Sequence, residues 1–154
     1  MTSRHDVAMG LRTAYWAMHR QTEACLAKHG VTANQFVLLA LLAEGDGVTQ
    51  QELVRRASSD PNTIRAMLLL LENRGFVARS EHPTDGRALC ITLTRKGCRT
   101  YEKLLKDTEP LRQRILTIFQ SEEMDIFVQF LARISEEMTP SPTSKSTRLK
   151  KGDK

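Results

Sequence analysis

Apolar residues recur at threes and fours over most of this chain and at twos in one short stretch. From about Arg4 to Lys28, the spacing of Val7, Leu11, Tyr15, Met18, Cys25 and Leu26 predicts an amphipathic helix, with His29-Gly30 as its stop. Such a helix measures roughly 37 Å at 1.5 Å per residue. It needs something extended to lie against, which a second copy would supply. Thr32-Ala33-Asn34-Gln35 fits a capping box and opens a short apolar helix from Phe36 to Ala43, ended by Gly45. Thr49 to Glu52 repeats that signal before Leu53, Val54 and Ala57. Asp60 then reads as an N-cap with Pro61 at the first helical position, where a missing N–H costs nothing. This third helix carries Ile64, Met67, Leu68 and Leu71 on one stripe, and Gly75 closes it after Arg74.

The period then changes. Phe76 to His82 and Ala88 to Leu93 read as two strands, with Leu89, Ile91 and Leu93 alternating with Ala88, Cys90 and Thr92. The residues between them, Pro83 to Arg87, supply turn chemistry. Thr94 caps a long helix to about Phe119, striped by Leu104, Leu105, Leu111, Ile115 and Phe119, and Pro110 is expected to bend or break it near Glu109. Ser121 is expected to cap a last helix with Phe127, Phe130, Leu131, Ile134 and Met138 on its stripe. From residue 139 to 154 no apolar period remains, and a disordered basic tail is expected.

Composition narrows the class. With 40% hydrophobic and 27% charged residues, the chain is neither a disordered nor a fibrous polypeptide. No apolar run approaches the roughly 18 residues of a membrane span, so no membrane partner is expected. The first residues lack a basic segment followed by an apolar one, so no secretory signal is expected. Three cysteines without a CxxC favour reduced thiols in a cytoplasmic protein.

The net charge of +5 is unevenly spread. Residues 55–99 hold nine Lys and Arg against four Asp and Glu, and residues 139–154 hold five against one. The remaining two blocks are mildly acidic. A basic segment between acidic ones suits a polyanion, although a solvated face would leave the same pattern.

Three short helices followed by a hairpin form a winged helix-turn-helix, in which one helix enters the major groove and the hairpin projects beside it. The helix starting at Pro61 offers Asn62, Thr63 and Arg65, with small Ala66 permitting close approach. Asn pairs with adenine, Arg with guanine, and a Thr methyl can touch a thymine methyl. Gln50 and Gln51 are candidates for phosphate contacts that set register. At the hairpin tip, Arg87 suits a narrow A·T-rich minor groove, with Asp85 placed to orient it; the alternative is a solvated turn.

The stretch from Asp60 to Gly97 resembles the MarR (multiple antibiotic resistance regulator) family. Its wing pattern, Asp-x-Arg followed by a Leu-Thr pair, reads here as Asp85-Gly86-Arg87 and, further on, Leu93-Thr94, with Arg95-Lys96-Gly97 after it. The reader helix from Pro61 to Met67 and its ending from Leu71 to Val77 also match. The resemblance implies a mainly α fold with a small β-hairpin wing: a winged helix-turn-helix DNA-binding domain plus a helical dimerisation region. It implies a dimerisation helix over 1–31, a DNA-binding lobe over 32–94 and dimerisation helices over 95–138. It also implies a homodimer on double-stranded DNA whose operator is near-palindromic, with Asn62, Thr63 and Arg65 facing bases and Arg87 in the minor groove.

Members of such a family commonly respond to a small aromatic effector, for which Tyr15, Trp16, His19 and Arg20 are candidates. Tyr15 also lies on the apolar stripe, for which a core or dimer contact is the simpler reading. A thiol-based redox response is the alternative, through Cys25, Cys90 or Cys98, the last following Arg95 and Lys96. His5, His19, His29 and His82 are scattered without metal-ligand spacing, and no nucleophile or phosphate-loop motif occurs. Neither metal nor cofactor nor enzymatic activity is expected. The leading expectation is a sequence-specific transcriptional regulator, most simply a repressor. A winged-helix protein-interaction module and an architectural DNA-binding protein are the rivals.

Overall fold

The computed structural model describes residues 4–45, 47–82 and 84–140, with side chains from residue 6 onward. In chain order the elements are α1 (Arg4–Leu26), a 3₁₀ turn (Ala27–His29), α2 (Ala33–Ala43), β1 (Val48–Thr49), α3 (Gln50–Arg56) and α4 (Pro61–Asn73). Then come β2 (Val77–Glu81), β3 (Leu89–Leu93), α5 (Arg95–Leu116) and α6 (Ser121–Met138). The chain divides into two compact units, residues 1–112 and 113–154.

The first unit is built on well-made helix starts. Thr32 Oγ1 accepts from Gln35 N–H at 3.1 Å while Gln35 Oε1 accepts from Thr32 N–H at 3.1 Å, the reciprocal capping box. Thr49 Oγ1 accepts from Glu52 N–H, and Asp60 Oδ1 from Thr63 N–H. Gly75 ends α4 at φ +73°, a left-handed cap that frees the chain to turn straight into β2. Each cap shortens the path between helices, so α2, α3, α4 and the sheet close on one core. Leu38, Leu39, Leu53, Ile64, Leu68, Leu71, Ile91 and Leu104 are essentially inaccessible within it.

The sheet is antiparallel in the order β1-β3-β2, pairing Val48 with Ile91 and Val77 with Leu93. The two residues of β1 give no period, and this strand changes the expected faces of β3. Leu89, expected inside with Ile91 and Leu93, is half exposed, whereas Cys90, expected on the other face, is buried. β1 flanks β3 on its second edge, and the bare backbone of Gly47 sits against Cys90, its Cβ position 3.4 Å from Cys90 Sγ. Leu89 lies beyond β1's reach, towards the hairpin tip.

Two helix expectations are also corrected. Pro110 does not break α5, which runs unbroken from Arg95 to Leu116, and Thr108 and Thr117 hydroxyls return hydrogen bonds to carbonyls of the preceding turn on either side. The N-cap of α6 is Gln120 rather than Ser121, and Gln120 N–H donates to Glu123 Oε2 at 2.9 Å. Ser121 is already the first helical residue, so Glu123, not the residue after it, reaches back to the cap.

A polar tie joins α1, α4 and α5 within the first unit. Arg74, at the end of α4, donates to Gly30 O at 2.6 Å and His29 O at 2.9 Å, with its guanidinium 4.5 Å from the Phe76 ring centre. The His29 ring nitrogen in turn lies 2.6 Å from Asp107 of α5, and Lys28 Nζ lies 3.0 Å from the same carboxylate. That carboxyl is held below its ordinary value first by the His29 hydrogen bond and next by Lys28.

In the second unit α6 has no buried residue. Its stripe and the segment before it leave Ile118 72%, Phe130 51% and Met138 74% exposed, a wide apolar face. Phe119 and Phe127 stack at 5.0 Å. The expected basic tail lies outside the described residues from 141 onward.

Candidate nucleic-acid interface

α3, its turn and α4 form the helix-turn-helix. The turn between them passes through Ser58 at φ +49°, a left-handed conformation the sequence does not announce, since a glycine is the usual signal for it. Asp60 fixes the first turn of α4 twice over, accepting from Thr63 N–H at 2.9 Å and from Thr63 Oγ1 at 2.5 Å. These bonds, the hydroxyl's first, hold the Asp60 carboxyl below its ordinary range, and its charge sits at the positive end of the helix. The Thr63 hydroxyl is thereby committed, leaving its methyl as the group available to a partner.

Asn62, Thr63, Arg65 and Ala66 are all exposed, while Ile64 and Leu68 between them anchor the helix in the core. The structure therefore brings together on one outward face the four residues read from the sequence. Gln51 is exposed at the start of α3. Gln50 Nε2 instead lies 3.5 Å from Pro61 O, linking the first turn of α3 to that of α4.

At the hairpin, Asp85 Oδ1 accepts from Arg87 N–H at 3.1 Å and Ala88 N–H donates to Asp85 O at 3.1 Å. Asp85 thus shapes the turn through the backbone of Arg87 rather than by pairing with its guanidinium. β2 is tied to α4 by an ion pair, Arg79 Nε lying 3.1 Å from Glu72 Oε2.

The basic segment looks different once its partners are known. Arg55 pairs with Glu52, Arg56 with Glu44 and Arg79 with Glu72, and Arg74 and Lys96 donate to backbone carbonyls. Glu52 is lowered chiefly by its hydrogen bond from Arg55. Among the described residues, the cations of this segment whose side chains have no such partner are Arg65, Arg87, Arg95 and Arg99. Sequence reading singled out the first two. Arg95, part of the Arg95-Lys96-Gly97 run, and Arg99, which carries no motif, are exposed at the start of α5 and stand out as free cations only once the pairing of the others is known.

The candidate effector residues lie on α1. Tyr15, Trp16 and His19 form a ring cluster with centroids 5.4 to 5.6 Å apart, Tyr15 and Trp16 nearly half exposed, and Arg20 is exposed beside them. Of the grooves among the described residues, one of about 570 Å³ is lined by the end of α2, Thr92, Leu93, Cys98, Tyr101 and Glu102, none of them from that cluster. Cys98 is exposed there, Cys90 is buried and Cys25 is partly buried. No group of three or more His, Cys, Asp or Glu able to hold a metal occurs among the described residues. No single helix among them is long and apolar enough to cross a membrane.

Comparison with known proteins places this geometry. Residues 31–89 match the model of the MarR family. The chain is 30% identical over 112 residues to the uncharacterized HTH-type transcriptional regulator YdgJ of Bacillus subtilis, a match spanning 73% of this chain and 66% of that one. It is 23% identical over 148 residues to the HTH-type transcriptional repressor MdtR of the same organism, spanning 96% and 94%. Among solved structures, NadR in complex with 4-hydroxyphenylacetate is similar at a TM-score of 0.77 and 26% identity, covering 88% of this chain and 97% of that one. The transcriptional repressor CouR, bound to a 23-mer DNA duplex, is similar at 0.74 and 25%, covering 88% and 99%. With its helix-turn-helix, its wing and these relatives, the chain belongs to the MarR family of transcriptional regulators.

Proposed function

We propose that this protein is a sequence-specific, double-stranded DNA-binding repressor that works as a homodimer and is released by a small aromatic effector. The observation that carries the DNA reading is the pairing pattern of the basic segment: Arg65 on the exposed face of α4 and Arg87 at the wing keep unpartnered guanidiniums while their neighbours are internally bonded. Arg65, Asn62 and the Thr63 methyl would read base edges in the major groove, with Ala66 allowing close approach. Arg87, its backbone held by Asp85, would enter the minor groove. Gln51, and Gln50 through its hold on Pro61, would set register on phosphates. CouR, similar to this chain and bound to a 23-mer DNA duplex, supports the DNA reading as a whole.

The homodimer is supported by the uncovered apolar faces of α1 and α6, including Val7, Met18, Ile126 and Phe130, in an isolated chain. In that arrangement residues 1–31 and 95–138 make the dimer body and residues 32–94 the reading lobe. Two-fold symmetry would set the two readers about 34 Å apart, one turn of DNA. The cytoplasm is where such a regulator acts.

Genomic fragments selected by the purified protein supply the operator. On it, Arg65→Ala is expected to lower affinity by about 1–3 kcal/mol and to relax preference at one base position, whereas Arg87→Ala weakens binding across many sequences. Unaltered affinity of both variants at fixed salt would refute the assignment. For the effector, the ligand of NadR and the ring cluster of α1 support an aromatic acid acting through Tyr15, Trp16, His19 and Arg20. Trp16 is the chain's one tryptophan, so quenching of its fluorescence by added hydroxylated aromatic acids is the direct test. A ligand that binds the DNA-incompetent arrangement better would empty the operator by population shift.

A further inference from the structure

We propose that His82 is a positioning residue for the wing: its neutral imidazole holds the turn that presents Arg87, and a second proton on that ring releases it. This rests on the reading of Arg87 as a DNA contact. His82 follows the last residue of β2 and is partly buried. Three groups converge on its Nδ1: Thr84 N–H, Asp85 N–H and Thr84 Oγ1, each at 3.2 Å. A backbone N–H can only donate, so Nδ1 is the acceptor and the ring proton sits on Nε2.

From that hub the order passes along the turn. Asp85, fixed through its N–H, accepts from Arg87 N–H by its carboxylate and from Ala88 N–H by its carbonyl. His82 N–H closes the loop on Ala88 O at 3.0 Å. Among the described residues of this turn, the imidazole lone pair and the Asp85 carboxylate are the side-chain acceptors that hold its backbone N–H groups.

Protonation inverts the hub. The second proton goes to Nδ1 and turns the acceptor into a donor that faces two N–H groups, so both backbone contacts are lost, while the Thr84 hydroxyl can only turn round and accept. Histidine is the side chain whose ordinary titration falls between about pH 5 and 8. Among the described residues, the charged neighbours along the hairpin are Glu81 on β2 and Asp85 and Arg87 in the turn; across it, Leu89 pairs with Glu81 and Ala88 O accepts from His82 N–H. The consequence is a DNA affinity that falls on acidification because the wing loses its shape, not because the reading helix changes.

The test uses the full chain and a fluorescein-labelled genomic duplex recovered by selection, at constant ionic strength from pH 5.5 to 8. His82→Asn keeps an acceptor near the Nδ1 position but does not titrate in this range. It is expected to bind within about twofold of wild type at pH 8 and to lose the part of the acid-dependent weakening due to His82. His82→Ala is expected to bind about tenfold more weakly at pH 8, the scale of one or two lost hydrogen bonds in the turn. In an Arg87→Ala background, His82→Ala should add no further loss. Amide signals of Thr84 and Asp85 in the free protein should titrate together with the His82 ring.

A His82→Asn protein with the wild-type pH profile would overturn the proposal, as would an undiminished His82→Ala effect in the Arg87→Ala background. If Arg87→Ala alone binds like wild type, the reading of Arg87 has failed. That outcome is seen without any His82 variant and is separate from the amide titration, which reports the hub itself.

Discussion

Gly97 sits in the first turn of α5 where that helix docks on the start of β2, and replacing it with alanine tests the packing that carries the wing. A Cβ at this position would lie 1.9 Å from Phe76 O, 2.9 Å from Phe76 C and 3.2 Å from Phe76 Cα, all backbone atoms with no rotamer to move. Phe76 O is also the acceptor for Thr94 N–H at 3.0 Å, and Thr94 Oγ1 bridges Gly97 N–H and Gly75 O. Relieving the overlap therefore means pulling α5 off β2 and straining this cap. In an exposed helix the change would gain about 1 kcal/mol from propensity. Forced overpacking against backbone costs about 3 kcal/mol or somewhat more, so the net loss is about 2 kcal/mol. For a chain of this size that is a fall of roughly 4–8 °C in Tm. Gly10, on α1 with nothing within 4 Å of its Cβ position, is the control, and Gly10→Ala should melt no lower than wild type. Both variants are melted by circular dichroism at equal protein concentration, because association shifts Tm. A Gly97→Ala protein that melts at or above the wild-type temperature would refute the close approach on which the α5–β2 junction is argued.

Two further outcomes concern carboxylates. Asp60→Ala should lower Tm at neutral pH by removing the cap of α4. Because the folded-state value of Asp60 is depressed, chiefly by the Thr63 hydroxyl, its contribution is present above the ordinary carboxyl range and fades as pH falls through the depressed folded value. The gap between wild type and variant should therefore narrow in acid; a constant gap from pH 7 to 2 would count against the cap. Asp107→Asn should loosen the tie to His29 and Lys28, which has the same pH sign because Asp107 is also depressed. The check is hydrogen exchange at Gly30 and Val31, and unchanged protection there would show that Arg74 alone holds the turn.

The Arg74 contacts tie the end of α4 to the turn after α1 and, through it, to α5. One guanidinium at the end of α4 holds the carbonyls of His29 and Gly30, and the same turn is fixed to the middle of α5 through His29 and Asp107. A tilt of α1 or α5 therefore acts on α4 through short polar contacts as well as through the shared leucine core.

The sequence carried the helix starts most plainly, because an N-cap is a local event: Thr32, Thr49 and Asp60 each make the bond their spacing predicts. The outward face of α4 was legible for a related reason, since Ile64, Leu68 and Leu71 define the inward one and leave Asn62, Thr63, Arg65 and Ala66 opposite. What stayed hidden depends on contacts distant in sequence. Two residues of β1 cannot show a period, yet by pairing with β3 they bury Cys90 and leave Leu89 outside their reach. Pro110 reads as a breaker from its missing N–H alone, but the turns on either side of it hold α5 continuous. Charge was the hardest signal to interpret. Nine basic residues between 55 and 99 read as one footprint, and only the positions of Glu44, Glu52 and Glu72 in space reveal which arginines are already occupied. A linear count overstates a binding surface wherever the fold supplies internal partners, so the discriminating quantity is the set of cations left over, here led by Arg65 and Arg87.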